Sequence, residues 1–567
     1  MKLSELTKQQ RKVIRAWCMF DWANSAYATS GIAAILPFYF VYLFKETLGD
    51  EFIFVGMTFT GSSMWSLAAA LSTAVVALTS PILGVIADRI AIKKTLMAIY
   101  TAAGSLFTIL MFFSAYSSNP WAWLLGTFIL GNIGFAGSLV FYNSLLPHVA
   151  PKEMLDDVSS RGFAYGYIGG GVLLLIHLGI NIIVSGTDIE DLATRLSIAS
   201  IGIWWFLWAI WTIKIVPEPI ILKPIKEFNP LKVTILAINQ LLHTFKELKQ
   251  FRVMLIYLIA YLIFNDGIQT VMGVAGAFAA DTLGIALAFN MMTILIIQFV
   301  AAGGSMVFSR IADIITTKNA LMVTLVGWSF VVLFGIAIAP LVPDKHKSHD
   351  YQFDYDQRSG LYKITANPDL STSLTDILWA SEIGNLAKET SLSINEVNRL
   401  LILIPNSVNN KYSASVSGGS LDSQTAIGYL HPSNLGKGLF DWWPLAIRTA
   451  LWAPLHLAAD FQWLIMGVMV GIVMGGSQAL ARSLFAKISP ETRSAEFFSF
   501  FGFMSRASTV FGPMLYVIMT SAVDTRTAVL SILILIISGT IILYWVDVEE
   551  GILTAQKEDE RFRNNVE

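Results

Sequence analysis

Two short polar motifs, about 245 residues apart, lie inside long apolar stretches of this chain. Residues 20–25 read Phe-Asp-Trp-Ala-Asn-Ser, and residues 264–270 read Phe-Asn-Asp-Gly-Ile-Gln-Thr. An aspartate at the centre of a membrane-spanning helix costs about 2.5–3.5 kcal/mol, so such residues usually have a function. A polar signature repeated in two halves of a membrane protein is typical of a transport site between the halves. The candidate binding or coupling side chains in the motifs are Asp21, Asn24, Asn265, Asp266 and Gln269.

Each aspartate also has a structural interpretation. Asp266 could be a hydrogen-bonding node between helices, with Asn265 beside it and Gln269 on the same helical face. Asp21 could pair with Arg15, which lies six residues earlier, at a helix end or a gate. The sequence alone leaves both roles open for both residues.

Further polar side chains in apolar stretches extend the candidate set to Asn143, Gln298, Gln478 and Arg482. Arginine can bind a carboxylate through two parallel hydrogen bonds, which suits an amino acid or another anionic solute. Arg482 could equally pair with Glu496 in a gate or extend toward the membrane surface.

Composition excludes several classes of protein. Of 567 residues, 55% are hydrophobic and 14% are charged, whereas a soluble protein has about 25% charged residues. The net charge of −2 argues against a nucleic-acid partner, and the single cysteine argues against a disulfide or a cysteine metal site. The sequence contains no phosphate-binding loop and no nucleophile–base pattern, so we expect neither a cofactor nor an enzymatic activity.

The apolar segments predict twelve membrane helices, because roughly 20 apolar residues cross a bilayer core of about 30 Å. The predicted spans are 17–43, 64–87, 95–115, 120–145, 163–185, 195–216, 253–280, 285–311, 319–341, 461–486, 497–521 and 526–547.

Basic residues predict the orientation. Five precede residue 17 and seven lie between residues 214 and 252, whereas the opposite short loops contain Lys45, Arg195, Arg526 and little else. The positive-inside rule therefore predicts cytoplasmic termini, and we expect a multi-pass protein of a bacterial inner membrane.

The two halves of the chain are related by an internal repeat. Residues 88–97 match residues 313–322 at an offset of 225, and residues 137–145 match residues 476–484 at an offset of 339. An insert of about 114 residues must therefore lie between the ninth and tenth spans. The predicted organisation is a six-helix bundle (1–216), a cytoplasmic linker with an amphipathic helix at 231–249 (217–252), three helices (253–341), the external insert (342–460), three helices (461–547) and a cytoplasmic tail (548–567).

Short patterns predict local structure in the insert. Residues 361–365 alternate like a strand, and residues 391–403 have the pattern of a capped helix. Residues 440–457 are rich in tryptophan and apolar residues, which indicates a helix at the membrane interface.

Twelve spans in two six-span repeats, with a long middle linker, resemble the major facilitator superfamily. Residues 84–94, Gly-Val-Ile-Ala-Asp-Arg-Ile-Ala-Ile-Lys-Lys, look like the loop motif between helices 2 and 3 of that superfamily, although Ala91 and Ile92 replace the usual glycine and arginine. A carboxylate paired with basic residues at a helix end can hold one closed state. The candidate gating residues in this motif and its weaker second copy are Asp88, Arg89, Lys93, Asp313 and Lys318.

Five stretches, at residues 20–29, 142–147, 166–171, 265–271 and 476–483, narrow the resemblance. Together they resemble the vacuole-effluxer-like family, the autophagy-related amino-acid effluxer group with many bacterial members. The resemblance covers nearly all predicted spans but not the insert. It implies solute transport, and amino-acid efflux is the role linked to the fungal members.

We therefore expect a secondary active transporter that moves an amino acid or a similar small polar metabolite by alternating access. Proton coupling through Asp266 or Asp21 is a hypothesis, because burial disfavours a charged carboxylate. The alternative is a transporter-derived membrane receptor or scaffold whose insert binds an unknown external partner. Polar residues in the first, seventh and tenth spans favour the transporter, because a protein that no longer transports has no need of them.

Overall fold

Long apolar helices make up most of the computed structural model, which describes residues 5–48, 52–54, 57–59, 61–221, 251–285, 287–368, 370, 374–384, 386–436, 438–509 and 511–564. Eleven helices in this part of the chain are long and apolar enough to cross a membrane, and two shorter consecutive helices form one further crossing. The all-α architecture with twelve membrane helices is therefore confirmed. In chain order, helices 1 to 12 are Lys8–Leu48, Gly61–Arg89, Lys93–Tyr116, Pro120–Ser144, Leu155–Val184, Glu190–Ile215, Arg252–Ala277, Leu287–Ile315, Thr317–Ile336, Ala459–Ile488, Ser494–Ala507 with Phe511–Ala522, and Thr525–Tyr544.

Helix 1 changes its winding directly after the first polar motif. Thr7 caps its start in a capping box with Gln10, and an α-helical segment runs over Lys8–Ala26. The next nine residues, Tyr27–Ile35, form wider π-helical turns before the α-helix resumes at Leu36. Such π-helical turns occur frequently at functional sites.

Helix 11 is broken, and the prediction of one continuous span over 497–521 is wrong in this respect. Its first segment is Ser494–Ala507 and its second segment is Phe511–Ala522. Pro513 explains the break, because proline has no backbone N–H to donate to the carbonyl four residues earlier. Proline is tolerated in the first turn of a helix, where N–H groups have no partner within the helix, so a new helix can begin at Phe511.

The most extensive contacts between the two halves involve helices 2, 5, 8, 10 and 11. Helix 5 of the first half packs against helices 8 and 10, and helix 2 packs against the first segment of helix 11. Gly84 allows the second of these contacts, because a Cβ atom at this position would lie 2.6 Å from the carbonyl oxygen of Ala495. Small residues commonly let membrane helices approach this closely.

Because twelve crossings return the chain to the side on which it starts, its first and last described residues lie on one face of the molecule, here called the terminal face. A C-terminal helix, Val548–Asn564, lies there and contacts the end of helix 10. Asp559 on this helix accepts hydrogen bonds from the backbone N–H groups of Glu491 and Thr492. The C-terminal helix thus holds the loop between helices 10 and 11.

The insert between helices 9 and 10 folds as a small α/β unit on the opposite face. A hairpin of β1 (Phe52–Phe54) and β2 (Met57–Phe59) precedes it in the chain. In chain order, the strands of the insert are β3 (Tyr351–Asp356), β4 (Leu361–Ala366), β5 (Ser391–Leu392), β6 (Ser413–Ser417) and β7 (Thr425–Ile427). They form one sheet in the order β5-β4-β3-β6-β7, in which β3 and β6 are parallel and the other neighbouring pairs are antiparallel. Two helices, Leu374–Ile383 and Ile394–Asn406, accompany the sheet.

The insert has its own apolar core, built around Phe353, Trp379 and Val397. The predicted strand is confirmed as β4. A capped helix is also confirmed, at Ile394–Asn406 with Ser393 as its N-cap, but the predicted bounds of 391–403 are wrong, since Ser391–Leu392 form β5. Alternating burial along β4 and a capping box are local signals, which is why the sequence sufficed to predict them.

The prediction of one interfacial helix over 440–457 is wrong in extent. A six-residue helix, Trp442–Ile447, is followed by a π-helical turn at Arg448–Trp452. The indole N–H of Trp443 donates to the carbonyl of Leu333, and that of Trp452 donates to the carbonyl of Ala337. These bonds attach the segment to the end of helix 9. The predicted linker helix at 231–249 lies outside the described residues.

Candidate functional site

A buried ion pair joins the two halves between helix 1 and helix 10. Nη1 of Arg482 lies 3.1 Å from Oδ2 of Asp21, and both side chains are almost fully buried. The Tyr142 hydroxyl donates to the same carboxylate oxygen at 2.7 Å. Arg482 also donates from Nη2 to the carbonyl oxygen of Ser159 at 2.7 Å, and from Nε to its hydroxyl. The pair is therefore well satisfied, as a buried ion pair must be to persist.

Aromatic rings surround the Arg482 guanidinium. Its central carbon lies 4.1 Å from the ring centre of Phe163 and 4.9 Å from that of Trp17. Gly162 makes room for the pair, because a Cβ atom there would lie 2.5 Å from Oδ2 of Asp21. Cation–π contacts are strongest when water is excluded, so these rings help to hold the guanidinium in place.

The alternative partners suggested by the sequence for these two residues are wrong. Glu496 pairs with Arg493 at 2.7 Å rather than with Arg482. Asp21 pairs with Arg482, and Arg15 is exposed. The distances between helices, which the sequence does not contain, decide these pairings.

Asp266 binds the break in helix 11. Its two carboxylate oxygens accept hydrogen bonds from the backbone N–H groups of Phe511 and Gly512 at 3.0 Å. The neighbouring Asn265 donates from its amide to the hydroxyl of Ser508, on the other side of the break. A carboxylate at a helix N-terminus satisfies free N–H groups and complements the helix dipole. Asp266, near the middle of helix 7, thus caps the N-terminus of the second segment of helix 11.

Four of the six amide side chains predicted in the site have different surroundings. Gln478 accepts a hydrogen bond from the hydroxyl of Tyr167 at 2.6 Å, across the interface of the halves. Asn24 is buried, and its amide nitrogen has no hydrogen-bond partner among the described residues. Gln269 and Gln298 are half-buried. Neither makes a side-chain hydrogen bond within the described part of the chain.

The predicted gating residues after helix 2 make a network of bonds on the terminal face, here called the predicted gate. Oδ1 of Asp88 lies 2.7 Å from Nζ of Lys93. The same carboxylate accepts hydrogen bonds from the backbone N–H groups of Ala495 and Glu496, at the start of helix 11. Lys93 in turn donates to the hydroxyl of Ser494 at 2.7 Å. The first copy of the loop motif therefore holds helix 11 of the other half.

His148 and Arg89 extend this gate. His148 lies 3.0 Å from Lys93, 3.0 Å from the hydroxyl of Ser494 and 3.2 Å from Glu491. Its hydrogen bond holds the pKa of Glu491 below the ordinary value, and burial lowers the pKa of His148 itself. Arg89 lies over the ring of Phe562 on the C-terminal helix.

The second copy of the motif does not form an equivalent gate. Asp313 is exposed, and no ion pair forms between it and Lys318. Lys318 instead donates to the carbonyls of Tyr544 and Val546 at the end of helix 12.

Asp156, at the start of helix 5, makes the contacts between the halves on that side of the pseudo-symmetric interface. It pairs with Lys487 at 2.6 Å and accepts hydrogen bonds from the hydroxyls of Thr317 and Ser483.

Sequence reasoning missed several residues of this arrangement, namely Tyr142, His148, Asp156, Lys487 and Arg506. Tyr142, Asp156 and Lys487 carry no signal that distinguishes them from other polar residues near helix ends. Arg506 carried one, because it is a charged residue inside a predicted span. It lines a cavity between helices 2, 4 and 11, which Asn143 also lines.

Two six-helix halves that meet around buried ion pairs define a membrane transporter of the major facilitator type. The family model for vacuole effluxer Atg22-like proteins matches residues 9–343 and 438–556. The chain therefore belongs to this family, as its five stretches suggested. Residues 344–437, which fall between the matched parts, include the sheet of the insert.

Relatives and solved structures agree with this assignment. The chain is 24% identical to an uncharacterised MFS-type transporter, YxiO, of Bacillus subtilis, over 98% of this chain and 99% of the relative. It is 22% identical to autophagy-related protein 22 of Kluyveromyces lactis, over 96% and 95%. A bacterial homologue of the iron transporter ferroportin, in an outward-facing state, has the same fold, with a TM-score of 0.54 and 11% identity over 95% of this chain and 99% of that one.

Proposed function

We propose that the protein is a secondary active transporter that moves an amino acid or a similar small polar metabolite by alternating access. The observation that supports this is the position of the polar contacts between the halves. The bonds around Asp21, Asp88 and Asp156 all join the parts of the helices that are nearest the terminal face. Such an arrangement corresponds to one closed gate, and transport requires that it open while the opposite side closes.

Asp21 is the best-placed carboxylate for proton coupling. Its negative charge compensates Arg482 across the interface of the halves. Protonation would remove that compensation and leave a buried guanidinium without a counter-ion, which favours separation of the halves. Asp266 is less suited to this role, because both of its oxygens are engaged by the backbone of helix 11.

Unused hydrogen-bonding groups support a solute site between the halves. Asn24, Gln269 and Gln298 belong to helices 1, 7 and 8 and have hydrogen-bonding capacity that no described residue fills. A polar solute that contacts these groups would satisfy their hydrogen-bonding capacity. Without a solute, water in the cavity would do so.

An uptake assay tests the function. Purified protein in liposomes is given radiolabelled amino acids, one at a time, with an imposed proton gradient, a sodium gradient or neither. We expect accumulation of at least one amino acid above protein-free liposomes, and a dependence on the proton gradient that Asp21→Asn abolishes. Absence of any protein-dependent uptake or counterflow would contradict the transporter function.

A labelling experiment tests alternating access. Ser305 is fully buried at the contact between helices 8 and 5, where its hydroxyl donates to the carbonyl of Ser160. In a Cys18→Ala background, Ser305→Cys should react slowly with a thiol reagent and faster when the transported solute is added. Ser359→Cys, on the exposed surface of the insert, is the matched control and should react at one fast rate in both conditions. Equal rates for Ser305→Cys with and without solute would contradict a moving gate.

A further inference from the structure

Arg506 is a cation at the middle of the membrane. It lies in the last turn of the first segment of helix 11, five residues before Phe511. Phe511 is bound by Asp266, which is 14 residues, or about 21 Å, along helix 7 from Arg252. The break in helix 11 therefore lies far from either end of helix 7. An arginine at this depth usually faces water or a polar ligand.

Arg506 differs from the other cations buried among the helices in having no counter-charge. Arg482 pairs with Asp21, and Arg526 lies near Asp441 while donating to backbone carbonyls. The guanidinium of Arg506 makes no ion pair and no hydrogen bond with any residue that the structure describes. An arginine has five N–H donors, so several of them remain available to a ligand.

The cavity that Arg506 lines has a polar side and an apolar side. Ser80, Asn143 and Ser505 bring hydroxyl and amide groups to it, and Phe498 and Phe501 contribute aromatic surface. No acidic residue is among the described residues that line it. The cavity can thus compensate a negative charge and cover a hydrocarbon group, but it offers no carboxylate to an ammonium group.

We propose that Arg506 binds the carboxylate of an organic acid with an apolar body, and that the transported solute belongs to this class. The guanidinium matches a carboxylate with two parallel hydrogen bonds, and the phenylalanines pack against the hydrocarbon part of the solute. The proposal deepens the proposed transport function and rests on it.

Asn143 connects this subsite to the gate. It lines the cavity of Arg506, and its side-chain oxygen accepts a hydrogen bond from Arg482 at 3.3 Å. A carboxylate bound at Arg506 is therefore separated from the Asp21–Arg482 pair by one side chain. A solute that draws Asn143 toward itself weakens a contact across the interface of the halves.

Three solutes with one carbon skeleton test the assignment: 4-methylpentanoate, leucine and 4-methylpentanamide. They carry, in turn, a carboxylate, a carboxylate with an ammonium group, and a neutral amide. Their binding is measured by thermal shift of the full chain in detergent, and their uptake is measured in liposomes. The variants are Arg506→Gln, Arg506→Lys and Arg310→Gln. The last removes one exposed positive charge at the terminal-face end of helix 8 and is the matched control.

We expect wild-type protein and Arg310→Gln to prefer 4-methylpentanoate and leucine by at least tenfold over 4-methylpentanamide. Arg506→Gln should lose that preference, and Arg506→Lys should retain part of it. Equal affinity for the two carboxylates and the amide, an unchanged preference in Arg506→Gln, or no binding of any of the three would overturn the proposal. Leucine uptake that is insensitive to Arg506→Gln would overturn the subsite while leaving the transporter intact. Carboxylate binding that depends on Arg506 without any uptake would retain the subsite and contradict the transporter.

Discussion

Arg482 and Asn143 occupy equivalent positions in the two halves of the chain and contact each other, with Nη1 of Arg482 3.3 Å from Oδ1 of Asn143. Two residues that are related by a pseudo-two-fold axis can touch only where that axis passes between them. The Asp21–Arg482 pair therefore lies close to the axis about which the halves are related. A charge pair in this position remains central in any rocking motion, which suits a residue that senses both solute and gate.

Breaking the Asp21–Arg482 pair should be costly, and the cost should not be additive. Loss of one partner from a buried pair leaves an uncompensated charge, so Asp21→Asn or Arg482→Gln should each lower stability by about 3–5 kcal/mol. The double variant should lose less than the sum of the two, as a double-mutant cycle of thermal unfolding in detergent would show. Asp157→Asn removes the partly exposed Asp157–Arg161 pair and serves as the control, with an expected loss of about 0.5 kcal/mol. Additive losses would contradict the coupling of the two residues.

Substitution of Asp266 should affect stability more than coupling. Asp266→Asn keeps one oxygen acceptor for the two N–H groups of helix 11, so we expect a loss of about 1 kcal/mol; Asp266→Ala removes the cap and should cost about 2 kcal/mol. Gln269→Ala, one turn away without a side-chain hydrogen bond in the described residues, should have little effect. The measurements are thermal unfolding and gradient-driven uptake between pH 5 and 8.

One outcome for Asp266→Asn would contradict the interpretation of Asp266 as a structural cap of helix 11. If this variant still exchanges solute but no longer accumulates it, and if its pH dependence disappears, then Asp266 carries the coupling proton. Asp21→Asn, measured in the same assay, identifies which of the two carboxylates responds to the gradient.

The terminal-face gate should weaken in acid. The pKa of His148 in the folded protein is below 6.5, because burial and the nearby Lys93 disfavour its charged form. Neutral His148 therefore stabilises the gate fully above pH 6.5, and this contribution is lost as the pH falls through the lowered pKa. The pKa of Glu491 is also lowered, by the hydrogen bond from His148, so its contribution is lost at still lower pH.

Thermal unfolding measured from pH 7.5 to 5 would show this loss. His148→Gln keeps hydrogen-bonding groups but cannot titrate, so its stability should change less between pH 6.5 and 5 than that of the wild type. Lys93→Met is a useful second variant, because removal of that charge should raise the pKa of His148 and move the loss to higher pH. Parallel curves for wild type and His148→Gln would contradict a role for this histidine.

The sequence was sufficient for features with a local or repeated signal. Hydropathy predicts the membrane helices because each must cover the bilayer by itself, and a capping pattern predicts one helix of the insert to within a few residues of its observed start at Ile394. The repeat identified Asp21 and Asp266 as corresponding residues. It could not show that one pairs with Arg482 while the other caps helix 11, because the partners come from helices far apart in the chain.

Pseudo-symmetry was misleading where one copy of a motif has lost its role. Asp313 corresponds to Asp88, yet it is exposed, and Asp156 forms the bonds on that side. Asp156 lies at the start of helix 5, where Asp and Glu are favoured by the helix dipole in any protein. Its type and position therefore indicate nothing more than a helix start. Only the positions of Thr317 and Lys487 show that it joins the halves.

The insert should be removable without loss of the membrane fold. Its core residues pack among themselves, and the family model does not include residues 344–437. Replacing residues 345–435 by a short Gly/Ser linker should leave a monodisperse protein with a thermal midpoint within a few degrees of the parent. Deletion of 345–457 is the control and should be destabilising, because it also removes Trp443 and Trp452, which bind helix 9. Aggregation of the shorter deletion would show that the insert is part of the membrane fold.

Orientation is the last prediction, and it rests on the uneven distribution of Lys and Arg among the loops. Ser420, in the insert, and Gln556, in the C-terminal helix, are exposed on opposite faces. In a Cys18→Ala background, a membrane-impermeant maleimide should label Ser420→Cys on intact cells and label Gln556→Cys only after permeabilisation. The reverse pattern would place the termini outside the cytoplasm. The gate at Asp88 and Lys93 would then control access from outside, and acid that weakens the contacts of His148 would act on the outer side of the protein.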